Sequence, residues 1–186
     1  QKRSKDNTDI LNLMLHLIIH CNFRIGGEAM HREYGSVGVS TLQKKHIKSK
    51  GSDLIIEFHG KKQVINCCKV EDKRAIKFIK SLASSLKHPN DRLFCLIGAN
   101  GEDRIAKDAD LKRYLSDIAG VTPKQFRTWQ SNVLLIEYLG CNLPTEINER
   151  KKNIKCAIER VAKNLHHTSA ICKKSYLLED LIKIMS

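Results

Sequence analysis

Several protein classes are excluded by what this chain has little of. Aromatic residues make up 5% of its 186 residues, too few for the rows of rings on which a single-strand platform stacks its bases. The seven cysteines, at positions 21, 67, 68, 95, 141, 156 and 172, form no CxxC pair, and no Cys/His spacing matches a zinc site. Their odd number and the adjacent Cys67 and Cys68 predict reduced, intracellular thiols that serve mostly as small core residues. The longest apolar run, Ile10 to Ile19, is interrupted by Asn12 and His16 and is too short to span a bilayer. The polar opening QKRSKDNTD has no signal-peptide character, so a cytosolic or nuclear setting is expected. No GxxxxGK[ST] string is present to cradle a nucleotide. With three prolines, no internal repeat and no low-complexity linker, the expectation is one domain over residues 1–186.

What the chain has in excess is positive charge. Lys and Arg number 33 against 20 Asp and Glu, a formal net charge of +13. Such a balance points to a polyanionic partner, nucleic acid first and an acidic membrane surface second. With so few aromatics, contact with backbone phosphates is the expected mode.

Periodicity places a helix from Asp9 to Cys21, with Thr8 as its cap. Three β-rich runs follow, VGVSTL, KKHIKSK and LIIEFHG, and the third pairs with KQVINCCKV across an HGKK turn. That hairpin has Gly60 at its bend and Lys61 and Lys62 at its tip. From Glu71 onward helical patterns dominate: EDKRAIKFIKSLASSLK, KDADLKRYLSDIAG, TPKQFRTWQSNVLLIEYLG, EINERKKNIKCAIERVAKNL and KKSYLLEDLIKIM. Thr122 and Pro123 start the third of these, as a capping residue followed by a first-turn proline, and Gly140 stops it. The fold class is therefore α+β, mostly helical with a small antiparallel three-stranded sheet.

Two features carry chemistry. Arg127 lies among Phe126, Trp129 and Val133 on a partly buried helix, where a guanidinium needs an anionic partner, either a carboxylate or a phosphate. In LHHTSAICKKSY, His167 precedes Tyr176 by nine positions with Lys173 and Lys174 between, a setting for a tyrosine that attacks a phosphodiester. Singly, Arg24 reads as a helix-terminus arginine and Lys61 as a solvated hairpin lysine.

Taken in order, FRIG, FHGKK, KQFRTW, LHHT and KKSY resemble the signature of the type IB DNA topoisomerases, in particular their compact poxvirus-like branch, and VGVSTLQKKHI resembles the segment between the first arginine and the hairpin. The resemblance covers nearly the whole chain. It implies the tyrosine recombinase/topoisomerase IB-like fold and an active site of Arg24, Lys61, Arg127, His167 and Tyr176. It further implies relaxation of supercoiled duplex DNA through a 3′-phosphotyrosyl intermediate, with no cofactor, neither ATP nor metal. Tyr176 would be the nucleophile, the two arginines and His167 would stabilise the phosphorane-like transition state, and Lys61 would protonate the leaving 5′-oxygen. Lys62, Lys124, Lys173 and Lys174 are the expected DNA contacts, in a monomer that acts at intracellular DNA and not at a membrane. The branch's small N-terminal β domain has no counterpart in this chain, which predicts weaker and more salt-sensitive DNA binding.

Two alternatives come from other classes. A tyrosine recombinase or integrase uses the same transesterification, but its pattern places a His three residues before the second arginine, where Lys124 stands here. Its interval from that arginine to the histidine is also shorter than the 40 positions between Arg127 and His167, and KKSYL lacks its Tyr-x-His ending. A passive basic DNA- or RNA-binding module would account for the charge and leave the ordered five-residue set as coincidence. A metal-dependent endonuclease is disfavoured, because no carboxylate cluster stands near the basic motifs.

Overall fold

The computed structural model describes residues 6–140 and 143–185. By its internal contacts the chain forms two compact units, Gln1–Pro123 and Lys124–Ser186. Cys141 lies outside the described residues.

The first unit opens with α1 (Asn7–His20), whose N-cap is Asp6 rather than Thr8: the Asp6 carboxylate accepts from the Thr8 amide. The helix buries Ile10, Leu11, Leu13, Met14, Leu17 and Ile18, a stripe at three- and four-residue spacing. A short α2 (Glu28–Tyr34) ends at Gly35, which adopts the left-handed conformation. Three antiparallel strands then form one sheet in sequence order, β1 (Ile47–Lys50), β2 (Asp53–His59) and β3 (Ile65–Val70). In β2 the inward Leu54, Ile56 and Phe58 alternate with outward residues, as a half-buried strand requires. The β2–β3 register runs from Leu54 opposite Val70 to His59 opposite Ile65. After α3 (Lys73–Ser85) comes a two-stranded hairpin of β4 (Cys95–Ile97) and β5 (Asp103–Ile105), then α4 (Asp108–Ala119).

Two local expectations are corrected. The VGVSTL run is not a strand: residues Val39–Thr41 form a 3₁₀ turn. Gly38 packs directly on Gly26, so close that a Cβ on Gly38 would lie 2.4 Å from the Gly26 nitrogen and Cα. This crossing holds the backbone off any sheet ladder. Nor are all thiols reduced. Cys21, immediately after α1, is joined to Cys68 of β3 with their Cα atoms 5.6 Å apart. Cys68 lies on the inward side of its strand and the two residues are 47 positions apart in sequence, so no local spacing marks the pair. Cys67 and Cys156 are exposed free thiols, and Cys95 is half-buried.

The second unit is helical. It contains α5 (Pro123–Leu139, whose first residue belongs to the first unit), α6 (Ile147–Asn164), α7 (Ser169–Ser175) and α8 (Glu179–Met185). Its core is Leu135 of α5, a stripe on α6 of Ile154, Ala157, Ile158, Val161 and Ala162, and then Leu165, Cys172 and Leu177. Leu181, Ile182 and Met185 of α8 pack against it. The expected last helix, KKSYLLEDLIKIM, is broken: α7 stops at Ser175 and α8 starts at Glu179, leaving Tyr176 at the break. Among the described residues no helix is long and apolar enough to cross a membrane.

Candidate active site

Helix α5 buries polar groups where an amphipathic helix would bury apolar ones. Arg127 is 4% exposed, Ser131 0% and Asn132 9%, and their spacing puts them on one face. Burial of such groups is tolerable when each finds hydrogen bonds, and each does. Arg127 Nη2 donates to the Leu165 carbonyl at 2.9 Å and to His167 Nε2 at 2.8 Å. Ser131 Oγ donates to the Arg127 carbonyl at 2.5 Å. The Asn132 amide donates to the carbonyls of Thr128 and Tyr176 at 2.7 and 2.9 Å, and its Oδ1 accepts from the Leu178 amide at 2.9 Å.

His167 is placed by the end of α6. Leu165 caps the helix, His166 takes a left-handed turn with φ 54, and the His167 amide closes the turn on the Ala162 carbonyl at 2.9 Å. Thr168 then caps α7. A guanidinium has donors and no acceptor, so in this contact Nε2 of His167 is the accepting nitrogen.

Tyr176 follows from the break in the helix. With φ −133 and ψ −27 it leaves α7, its amide still bonded to the Cys172 carbonyl at 3.0 Å. Its ring lies 4.6 Å from the His167 ring, centre to centre, and the Arg127 guanidinium carbon stands 5.5 Å from the ring centre. Thus Arg127, His167 and Tyr176, spread over fifty residues of sequence, meet within one unit. Beside them Cys172 is fully buried. Burial pushes its thiol up to about 11, against an opposing pull from Arg127, so at neutral pH it is an inert thiol.

Arg24 and Lys61 both belong to the first unit. Arg24 is half-buried in the segment between α1 and α2. Its carbonyl accepts from Val39 N at 2.9 Å and that of Ile25 from Ser40 N at 2.8 Å, while Val37 N donates to the His59 carbonyl at 2.9 Å. Residues 37–40 therefore tie the Arg24 segment to the end of β2, where the Lys61 turn begins. That turn is Lys61–Gln63, exposed, with Lys62 and Gln63 both left-handed at φ 60 and 58. Two such residues in succession are strained. Hydrogen bonds from both sides of the turn help to hold them. Gly60 N donates to the Val64 carbonyl at 2.8 Å, the Asn66 amide donates to the same carbonyl at 2.8 Å, and Gln63 Nε2 donates to the Tyr34 carbonyl at 2.9 Å. A Cβ on Gly60 would fall 2.4 Å from the Asn66 side-chain amide nitrogen, so a larger residue there would push that amide aside. Lys62, Lys124, Lys173 and Lys174 are all exposed.

Sequence reasoning missed Asn132. The polar spacing Arg127, Ser131, Asn132 on one face of α5 is the signal that would have found it. Among the described residues, no three His, Cys, Asp or Glu side chains converge as ligands for a metal ion.

A small sheet with a basic turn in one unit, and a helical unit that clusters Arg, His and Tyr, define the α+β, mostly helical class expected from the sequence. The comparisons with known proteins narrow the class. The family model described as "Eukaryotic DNA topoisomerase I, catalytic core" matches residues 1–184, and the chain belongs to this family, the type IB topoisomerases. It is similar to "DNA topoisomerase 1B" of Acanthamoeba polyphaga mimivirus, with 32% identity over 186 residues covering 94% of this chain and 54% of that protein. The chain thus spans about half the length of that relative.

Proposed function

We propose that the protein relaxes supercoiled duplex DNA by cutting one strand through Tyr176 and resealing it. The observation that carries this reading is the convergence of Arg127, His167 and Tyr176. A nucleophile, a fixed guanidinium fork and an imidazole stand together, as transfer of a phosphodiester to tyrosine needs.

In the forward step Tyr176 Oη loses its phenolic proton to water as it bonds to phosphorus, the phosphorus–O5′ bond breaks, and the 5′-oxygen leaves as a hydroxyl by taking a proton from Lys61, which water then restores. Arg24 and Arg127 hold the non-bridging oxygens. His167 joins them once a phosphate oxygen takes over the Nη2 donor of Arg127. Nε2 is then released from its accepting role and, protonated, becomes a donor. Resealing is the reverse, proton exchanges with water included: the 5′-hydroxyl attacks the phosphotyrosine, Lys61 takes back the proton and Tyr176 leaves. Each bond made replaces one of equal kind, so the cycle draws on the torsion of the DNA and needs no ATP. The charge developed in the transition state is met by Arg24, Arg127 and His167, so no step calls for a metal. Exposed Lys62, Lys124, Lys173 and Lys174 contact phosphates and set the salt dependence of binding.

Plasmid relaxation in EDTA without ATP is the test. Wild type is expected to relax both positive and negative supercoils to completion and Tyr176→Phe to relax none. Binding of the plasmid by both proteins with relaxation by neither supports the passive-module reading instead. Recombined products from paired sites would favour the recombinase.

A further inference from the structure

We propose that Cys21 and Cys68 form a thiol–disulfide switch that sets how firmly the Arg24 segment is mounted on the sheet carrying the Lys61 turn. The proposal rests on the strand-cutting reading above. Cys21 is 5% exposed and stands three residues before Arg24. Cys68 is half-buried on β3, the strand that leaves the Lys61 turn. Their Cα separation of 5.6 Å is one a disulfide spans without moving the backbone. Arg24 and Lys61 both lie inside the loop that the bond closes. Besides the bond, the Arg24 segment is held to β2 by fully buried Phe23, whose ring lies 4.7 Å from that of Phe58, and through residues 37–40 by the hydrogen bonds to the Arg24, Ile25 and His59 carbonyls described above. Those can open and close, whereas a covalent bond cannot. Cys67, the next residue along, is an exposed free thiol on the opposite side of the strand and serves as an internal control.

The exchange balances with glutathione as the redox partner. A glutathione thiolate attacks the sulfur of half-exposed Cys68, the Cys21–Cys68 bond breaks, and Cys21 leaves as a thiolate that takes a proton. A second glutathione thiolate attacks the mixed disulfide, glutathione disulfide departs, and Cys68 is released and protonated. Two electrons pass from two glutathiones to the protein, and glutathione disulfide drives the reverse. The bonded state is the faster one, because a covalent mount keeps Arg24 in register with the sheet and removes motion that would otherwise be frozen during the reaction.

The experiment equilibrates the protein in glutathione disulfide or in reduced glutathione, counts free thiols by maleimide mass shift, and measures single-turnover cleavage of a nicked duplex. The oxidised sample is expected to show two fewer free thiols beyond those carrying glutathione, which the mass shift counts separately, and roughly three- to tenfold faster cleavage. Cys68→Ser is expected to cleave at the reduced rate in both buffers, and Cys67→Ser to keep the full response. Equal cleavage rates at two confirmed thiol counts overturn the switch alone, as does a thiol count that does not change between buffers. Absence of any covalent adduct in either state overturns the strand-cutting reading and the switch with it. The wild-type comparison needs no substitution, so it discriminates these outcomes even where a variant fails to fold.

Discussion

Replacing Asn132 by Ala removes one side chain that holds the backbone on both sides of Tyr176. Its amide bonds the Tyr176 carbonyl and its Oδ1 receives the Leu178 amide, so Tyr176 sits between two anchored points. A third bond, to the Thr128 carbonyl, fixes the amide itself on α5. Each neutral hydrogen bond contributes on the order of 1 kcal/mol net. Leu178 is 57% exposed and its freed amide can turn to water, which brings the loss in stability to about 2 kcal/mol rather than 3. The loss in rate is expected to be larger in proportion. Loosening the 176–178 backbone costs positioning at the attacking oxygen, and a displacement there of about an ångström lowers rate on the order of 100-fold. Asn132→Asp should be worse on both counts, since it turns an acceptor toward two carbonyls. Urea denaturation gives the first quantity and single-turnover cleavage at saturating DNA, well below the melting temperature, gives the second. The reasoning is refuted if Asn132→Ala loses about 2 kcal/mol of stability while cleaving within twofold of wild type. Asn132 would then be a structural residue only.

Other outcomes follow from the same structure. Gly38→Ala, with its Cβ forced to 2.4 Å from the Gly26 backbone and 2.8 Å from the Arg24 carbonyl, is expected to lose about 1–3 kcal/mol by thermal melting. Its cleavage should fall more than its DNA binding. His46 is pushed down to about 4 by burial first, then by the charges of Lys45, His31 and Arg92. The unfolded chain therefore takes up a proton below about pH 6.5 that the folded protein refuses until about pH 4. Stability contributed by neutral His46 is full above that window and drains away as pH falls through it, by at most about 3 kcal/mol. His46→Gln should flatten this part of a stability-versus-pH curve, and an unchanged slope would show that other groups set it. Lys174→Ala should weaken DNA binding at all sequences alike and reduce the slope of log affinity against log salt by about 1. A slope equal to that of wild type would place Lys174 off the DNA.

Much of the architecture was legible because its physics is local. The α6 stripe, the Thr122–Pro123 start of α5 and the alternation in β2 are each written in adjacent residues. The failures lie where distant backbone decides. VGVSTL alternates like a strand, yet its Gly38 backs onto Gly26 and the segment turns instead. The β4–β5 hairpin has strands of three residues around Gly98 and Gly101, too short for a periodic signal. The run KKSYLLEDLIKIM reads as one helix, and nothing local announces the break at Tyr176. At that break Asn132 bonds the backbone from 44 and 46 positions away. The same holds for the site. Arg127 as a buried cation and His167 beside a tyrosine were readable as types of residue in a spacing, whereas the contact between His167 Nε2 and Arg127 is a matter of three-dimensional arrangement. The Cys21–Cys68 bond was invisible for the same reason.

Whether Tyr176 is the nucleophile that cuts the strand is tested most directly by mapping a covalent complex. A duplex nicked so that the cut strand's downstream piece diffuses away is incubated with the protein in EDTA, digested with trypsin and a nuclease, and sequenced by mass spectrometry. One modified peptide is predicted, carrying a 3′-linked nucleotide on Tyr176. An adduct on any other residue, a 5′ linkage, or cleaved DNA without an adduct would contradict that role.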